Sequence, residues 1–85
     1  MFYVYLIQST LTKQLYVGYT ADIEARLVSH NAGNNKATKH GVPWKIIYIE
    51  GFRSEKDARI REGKLKHHER SSKRFVRDRI IYSLL

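Results

Sequence analysis

Two aromatic-rich stretches near the start of the chain decide the fold: FYVYLIQ over residues 2–8 and QLYVGY over residues 14–19. Aromatic and β-branched residues favour strands, and residues 9–13 between the two stretches are of the kind found in turns. The pair therefore predicts a β-hairpin. Gly18, inside the second stretch, indicates a bulge, a close approach of another group to the backbone, or simply the end of the strand.

The next segment predicts one helix and a loop. Either Thr20 or Asp22 can cap a helix that runs through His30, and the Asn-rich residues 31–35 end it. The polar residues from there to Pro43 are interpreted as a mobile loop.

The second half of the chain predicts one more strand and two helices. Residues 44–50 (WKIIYIE) form the strand, and their continuous apolar run predicts burial on both faces and a middle position in the sheet. Ser54, followed by an acidic residue three positions later, matches a capping box and begins a helix that extends to about His68. A last helix begins at Ser71 or Ser72, with apolar residues at every fourth position.

The length predicts a single domain over residues 1–85. The expected order of elements, β-β-α-β-α-α, places it in the α+β class, with a small three-stranded antiparallel or mixed sheet flanked by three helices. Apolar residues make up 42% of the chain, so a core can form. Cysteine is absent, which excludes disulfides, thiol nucleophiles and thiolate zinc sites.

The charge points to a polyanionic partner. Sixteen Lys and Arg residues stand against eight Asp and Glu residues, a formal charge of +8. Nucleic acid is the most common partner of such a surface, and a basic but inert surface is the alternative. No stretch of the sequence resembles a signal peptide or a membrane span, so we expect a soluble, cytoplasmic protein without a membrane partner.

The second predicted helix carries a carboxylate at the edge of its apolar stripe. Four residues share one face of this helix by their spacing: Ala58, Arg61, Glu62 and Leu65. Burying a lone carboxylate is costly unless a cation compensates it, and either a metal ion or Arg26 would do so. The alternative is a surface salt bridge from Glu62 to Arg59 or Lys66.

The first predicted helix and the tyrosines supply further candidates. Arg26 and His30 are four residues apart and share a face, a pairing that suits phosphate binding beside proton transfer, although an ordinary solvated face has the same spacing. Tyr3 and Tyr5 project to one face of the first strand. A phenol near a phosphate can orient or deprotonate water. The alternative is a purely structural role, in which a tyrosine lines the edge of a core.

These residues together resemble the GIY-YIG nuclease family. The first half of the family motif is present as Tyr3-Val4-Tyr5 and the second as Tyr16-Val17-Gly18, and Arg26, His30 and Glu62 follow in the family order. The resemblance covers Phe2 to about Lys66 and is strongest to small stand-alone bacterial members. It implies a GIY-YIG endonuclease-like fold.

The resemblance also implies a function and a set of roles. The reaction would be metal-dependent hydrolysis of phosphodiester bonds, in DNA more readily than in RNA. The expected role is structure-selective and repair-related. A partner protein could supply target specificity. Tyr5 and Tyr16 would contact the scissile phosphate or the attacking water, Arg26 would neutralise charge on the phosphate, and His30 could relay a proton. Glu62 would hold Mg²⁺ or Mn²⁺, and Gly18 would allow a close backbone approach.

Two departures from the family pattern keep a second interpretation open. Many members place a lysine directly after the second half-motif, where this chain has Tyr19, and several use an asparagine on a later helix, while residues 71–85 contain none. The alternative is therefore a nucleic-acid-binding module with a degenerate, inactive nuclease site.

The basic residues outside this constellation form the predicted nucleic-acid-binding set. Phosphate contacts from such groups provide affinity without sequence readout, and no base-reading helix motif is present. The adjacent His67 and His68 point about 100° apart on a helix and are interpreted as structural, as is Trp44. The predicted binding residues are Lys36, Lys39, His40, Lys64, Lys66, Arg70, Lys73 and Arg74.

Overall fold

The computed structural model describes the backbone of residues 1–71 and the side chains of residues 1–66. Within this range the order of elements is β-β-α-β-α, and a short 3₁₀ turn (Lys39–Gly41) precedes the last strand. The predicted last helix from residue 71 or 72 lies outside the described residues. The elements are β1 (Phe2–Ser9), β2 (Leu15–Thr20), α1 (Ile23–Asn31), β3 (Trp44–Phe52) and α2 (Glu55–Ser71).

The sheet is antiparallel, and its strand order is β2-β1-β3. The prediction that residues 44–50 form the middle strand was therefore wrong, because β1 pairs with both other strands. β1 has the longer fully buried run: Val4, Tyr5, Leu6 and Ile7 are each at most 2% exposed. β3 lies at an edge and is only partly buried, with Ile49 43% exposed, so its apolar run is not covered on both faces.

The two helices pack on opposite faces of the sheet because neighbouring residues of β1 point to opposite sides. Val4 and Leu6 pack with Val17 against Ala58 and Leu65 of α2, as the spacing of the helix predicted. The other face holds a second cluster, which combines Tyr5, Ile7 and Trp44 with Ile23 and Leu27 of α1. No helix of the described part is long and apolar enough to cross a membrane.

Both helices begin at the predicted caps. Asp22 caps α1, and its carboxylate accepts a hydrogen bond from the backbone N–H of Ala25 at 3.1 Å. Ser54 accepts from the backbone N–H of Asp57 at 3.3 Å at the start of α2. This helix continues to Ser71, three residues beyond the predicted end at His68.

The segment between α1 and β3, interpreted from the sequence as a mobile loop, is joined to both neighbouring strands by hydrogen bonds. Thr38 is only 1% exposed, and its carbonyl accepts a hydrogen bond from the Trp44 indole N–H at 2.7 Å. The Asn31 side chain bonds both the N–H and the carbonyl of Trp44. The Ser9 hydroxyl donates to the Gly41 carbonyl at 2.6 Å, which ties the segment to β1. These hydrogen bonds give partners to polar groups of the segment, and the sequence alone did not indicate which partners they have.

A salt bridge between Arg61 and Glu50 connects α2 to β3 and orients the helix over the sheet. Arg61 Nε donates to Glu50 Oε1 of β3 at 2.9 Å, and the Tyr48 hydroxyl donates to the same oxygen at 2.8 Å. Arg61 and Glu62 are adjacent on the helix, so they point about 100° apart. With Arg61 held against β3, Glu62 faces the opposite edge of the sheet, where β2 lies.

Candidate active site

An open cleft of about 370 Å³ lies at the β2 edge of the sheet. Four of the five predicted catalytic residues line it: Tyr5, Tyr16, Arg26 and Glu62. The remaining lining residues are Phe2, Gly18, Tyr19, Thr20, Ala21 and Glu55.

Strand register explains how the two tyrosines come together. Tyr5 pairs with Gly18 and Ile7 pairs with Tyr16, so both tyrosines lie on the sheet face that α1 covers. Their ring centroids are 6.5 Å apart. Arg26 comes from α1 over the same face. Glu62 comes from α2 on the opposite face, and it lines the cleft at the sheet edge that β2 forms.

His30 lies behind the cleft in a buried hydrogen-bonded chain. It is fully buried, its Nε2 is 2.8 Å from the Tyr5 hydroxyl, and its Nδ1 is 2.8 Å from the Thr38 hydroxyl. The imidazole also packs edge-on against Tyr16, with ring centroids 5.1 Å apart. The predicted catalytic histidine therefore touches both tyrosines but does not line the cleft.

Burial sets the protonation states of Tyr5 and His30. Desolvation, together with the neighbouring Tyr16, raises the pKa of Tyr5 well above its usual value, although Arg26 acts in the opposite direction. Desolvation and the positive charge of Arg26 lower the pKa of His30. At neutral pH, Tyr5 is a protonated phenol and His30 a neutral imidazole. Tyr5 can make hydrogen bonds, but it is a poor base.

Glu62 has one cationic neighbour in the described part of the chain. Its side chain is 20% exposed, and Lys66 Nζ lies 3.7 Å from its Oε2. The same ammonium lies 5.8 Å from the centroid of the Tyr16 ring. Of the cationic side chains considered as partners of Glu62, Lys66 forms the ion pair. This predicted binding residue therefore contacts one of the predicted catalytic residues.

The carboxylates of the cleft suit a metal ion that takes most of its ligands from water and from substrate phosphates. Among the described residues, no three His, Asp or Glu side chains gather to hold a metal by themselves. Mg²⁺ usually keeps several waters and binds through one or two carboxylates plus substrate phosphates. Glu62, with Glu55 lining the same cleft, offers that kind of partial ligand set.

Gly18 allows the Tyr5 ring to lie against the backbone of β2. A Cβ at this position would lie 2.6 Å from Tyr5 Cζ and closer still to the hydroxyl oxygen. Because β2 continues in regular register to Thr20, Gly18 marks a close approach and neither a bulge nor the strand end.

We expect Gly18→Ala to displace the buried Tyr5 ring and break its hydrogen bond to His30. Overpacking of this kind costs about 1–3 kcal/mol of unfolding free energy, which urea unfolding would measure. Gly63→Ala is the matched control, because a Cβ there meets nothing within 4 Å and Gly63 lies inside α2. It should stabilise the helix by about 0.5–1 kcal/mol. Equal stability of the two variants would show that Gly18 has room for a methyl group.

The remaining predicted residues lie outside the cleft. Tyr3 is partly buried on β1 and does not line it. Lys36, Lys39, His40 and Lys64 are exposed. The backbone of Arg70 is part of α2, but its side chain is not described. Lys73 and Arg74 lie outside the described residues.

Two residues with a place in the site were missed at the level of the sequence. Glu55 was not singled out, although its position in the predicted helix, about two turns before Glu62, puts both carboxylates on one face. Thr38 had no signal at all, since nothing in a polar segment marks one threonine as buried beneath an imidazole.

Comparisons with known proteins show the family of the chain. A family model described as the GIY-YIG catalytic domain matches residues 1–75. The chain is 40% identical over 72 residues to a UPF0213 protein of Staphylococcus haemolyticus, covering 84% of this chain and 87% of that protein. It is 36% identical over 72 residues to a UPF0213 protein of Haloquadratum walsbyi, covering 84% and 80%.

A third relative is covered less completely. A UPF0213 protein of Streptococcus pneumoniae is 42% identical over 59 residues, which cover 68% of this chain and 60% of that protein. None of these names states an activity. No solved structure matches the chain.

Proposed function

Because the chain belongs to the GIY-YIG family, we propose that it is a metal-dependent endonuclease that hydrolyses phosphodiester bonds in DNA. Membership of the family implies nuclease-type activity on DNA. The observation that carries the finer proposal is the cleft itself, which gathers a guanidinium, two phenols and a carboxylate from four different elements. A phosphate entering the cleft would meet all of these groups.

Arg26 is the group best placed to bind the phosphate. It is exposed on α1 and lines the cleft. A guanidinium can bind two phosphate oxygens at once, and it stabilises negative charge as that charge develops in the transition state.

Tyr16 is the better candidate to contact the attacking water. It is partly exposed, whereas Tyr5 is 2% exposed, engaged by His30 and held protonated by its raised pKa. Tyr5 suits a different task, since a neutral phenol can donate a hydrogen bond to a phosphate oxygen.

Glu62 would hold the divalent cation, Mg²⁺ or Mn²⁺, with waters and the phosphate as further ligands. When bound, the metal supplies charge stabilisation at the phosphate and leaving oxygens. Without a cation, the Glu62 carboxylate would repel the substrate. Lys66, which now contacts Glu62, offsets part of that charge in the free protein.

The exposed basic residues support binding without sequence readout. Lys36, Lys39 and His40 follow α1, and Lys64 lies on α2. Each duplex phosphate that such groups neutralise contributes about −0.9 to the slope of log K against log salt concentration. A single domain over residues 1–85, a cytoplasmic location, a repair-related role and a partner that directs target choice remain predictions of the sequence.

A nucleic-acid-binding module without cleavage is the second candidate, and two observations favour it. Lys66 forms an ion pair with Glu62, the predicted metal ligand, and Tyr19 lines the cleft at the position where many family members have a lysine. Both features would weaken catalysis and leave the basic surface intact.

One experiment separates the two candidates. The protein is incubated with duplex, flap, branched and single-stranded DNA, and with matched RNA, in Mg²⁺, Mn²⁺ or EDTA, and binding is titrated at two salt concentrations. We expect cleavage of at least one DNA substrate that EDTA abolishes. Tight, salt-sensitive binding with no cleavage in either metal would instead establish the binding module.

A further inference from the structure

The buried chain behind the cleft ends at Thr38, a residue that belongs to no catalytic motif. Its hydroxyl is 2.8 Å from His30 Nδ1, and on the other side of the ring His30 Nε2 is 2.8 Å from the Tyr5 hydroxyl. Thr38 is 1% exposed and His30 is fully buried, so both are shielded from bulk water. Three polar side chains thus form one line from the interior to the cleft.

The backbone around Thr38 holds its hydroxyl in place. Its N–H donates to the Asn35 carbonyl at 3.1 Å, and its carbonyl accepts from the Trp44 indole at 2.7 Å and from the Gly41 N–H at 3.1 Å. Trp44 is itself 5% exposed and fixed by Asn31. The position of Thr38 is therefore set by contacts within the fold.

The donors and acceptors of Tyr5, His30 and Thr38 together favour one tautomer of His30. A threonine hydroxyl has one hydrogen, and a buried donor requires an acceptor. Among the described residues, the only hydrogen bond of the Thr38 hydroxyl is the one with His30 Nδ1. If the hydroxyl donates there, Nδ1 carries no proton and the proton of the neutral imidazole is on Nε2.

The consequence reaches the cleft through Tyr5. A protonated Nε2 donates to the Tyr5 oxygen, so the hydrogen of the phenol is not used by His30. Tyr5 lines the cleft, and its own hydrogen is then free to point there. In the other tautomer, the phenol would donate to Nε2 and the Thr38 hydroxyl would keep a buried hydrogen without an acceptor in the described part of the chain.

We infer that Thr38 is a positioning residue that holds His30 in the Nε2–H tautomer and thereby makes Tyr5 a hydrogen-bond donor to a phosphate oxygen in the cleft. The role of Tyr5 toward phosphate rests on the proposed nuclease function, whereas the tautomer of His30 does not. Thr38 acts through His30 and has no contact with the substrate.

The test combines a spectroscopic measurement with kinetics. Long-range ¹H–¹⁵N spectra distinguish a protonated ring nitrogen from a bare one, and the His30 signals are identified by their loss in His30→Gln. We expect the Nε2–H tautomer in the wild type and in Thr38→Ser, which retains the hydroxyl. Thr38→Val removes the hydroxyl at nearly constant shape and should give a mixture of the two tautomers.

The kinetic expectation follows from the same variants. Thr38→Val should lower kcat by about 10–100-fold with an unchanged Kd for DNA, a typical effect of losing a group that orients another, and Thr38→Ser should restore most of the rate. Thr12→Val, at an exposed threonine in the β1–β2 turn, controls for the substitution itself.

Two results would overturn the inference. One is a wild-type His30 in the Nδ1–H tautomer, which decides the matter even if Thr38→Val fails to fold. The other is a folded Thr38→Val protein that retains the wild-type tautomer. If no substrate is cleaved at all, the nuclease proposal fails, and the tautomer measurement still decides the role of Thr38.

Discussion

Glu62→Gln is expected to reduce metal-dependent cleavage by about 10²–10³-fold. A metal at a developing oxyanion supplies several kcal/mol, and each 1.36 kcal/mol is about a factor of ten in rate. Glutamine keeps the size of the side chain and removes the charge that would attract the cation. The measurement is single-turnover cleavage at saturating protein over a range of Mg²⁺ and Mn²⁺ concentrations.

Binding of DNA by this variant should be unchanged or somewhat tighter, because a negative charge has left a cleft that receives phosphate. Glu24→Gln is the matched control: it makes the same change of charge at an exposed position on α1 that does not line the cleft. Glu55→Gln tests the second carboxylate of the cleft. Cleavage that persists in Glu62→Gln at the wild-type rate would remove Glu62 from the site and point to a contaminating nuclease.

Arg26→Ala is expected to lower kcat by about 10²–10³-fold, the range seen when one preorganised donor to a developing oxyanion is removed. Because Arg26 is exposed, its loss should change the unfolding free energy by no more than about 0.5 kcal/mol. Binding should weaken modestly, by the loss of about one phosphate contact in the salt slope.

A second readout of the same variant does not depend on catalysis. The charge of Arg26 contributes to lowering the pKa of His30, so its removal should raise that pKa toward the ordinary value. An NMR titration of His30 in wild type and variant would measure the difference. Arg59→Ala, exposed on α2 and outside the cleft, should alter neither the rate nor the titration. Equal losses of rate in both arginine variants would mean that general charge, and not the position of Arg26, supports cleavage.

Much of the local structure was predictable because it depends on neighbours in the chain. The two aromatic stretches became β1 and β2, Asp22 and Ser54 cap their helices, and Ala58 and Leu65 face the core. The family motifs named Tyr5, Tyr16, Arg26 and Glu62 as a set, and the structure places all four at one cleft.

The order of the strands was not predictable from the apolar pattern. Both β1 and β3 contain continuous apolar runs, and such a run says only that a strand is shielded, not which partner shields it. Pairing on both sides gave the middle place to β1, which left β3 at the edge with Ile49 exposed. The contacts of the polar segment before β3 were not predictable for a related reason, since its hydrogen-bond partners, Ser9 and Trp44, lie on strands that only the fold brings near.

The sequence by itself determined which chemical groups this protein has, because strand alternation, helix spacing and caps act over a few residues. It determined a basic α+β domain with phenols, a guanidinium and a carboxylate in the order of a nuclease family. Only the tertiary structure decided which groups meet. Glu62 reaches the tyrosines around the edge of β2, Lys66 accompanies it, and Thr38 lies beneath His30. These are contacts between residues far apart in the chain, fixed by packing and by the hydrogen bonds that buried groups require.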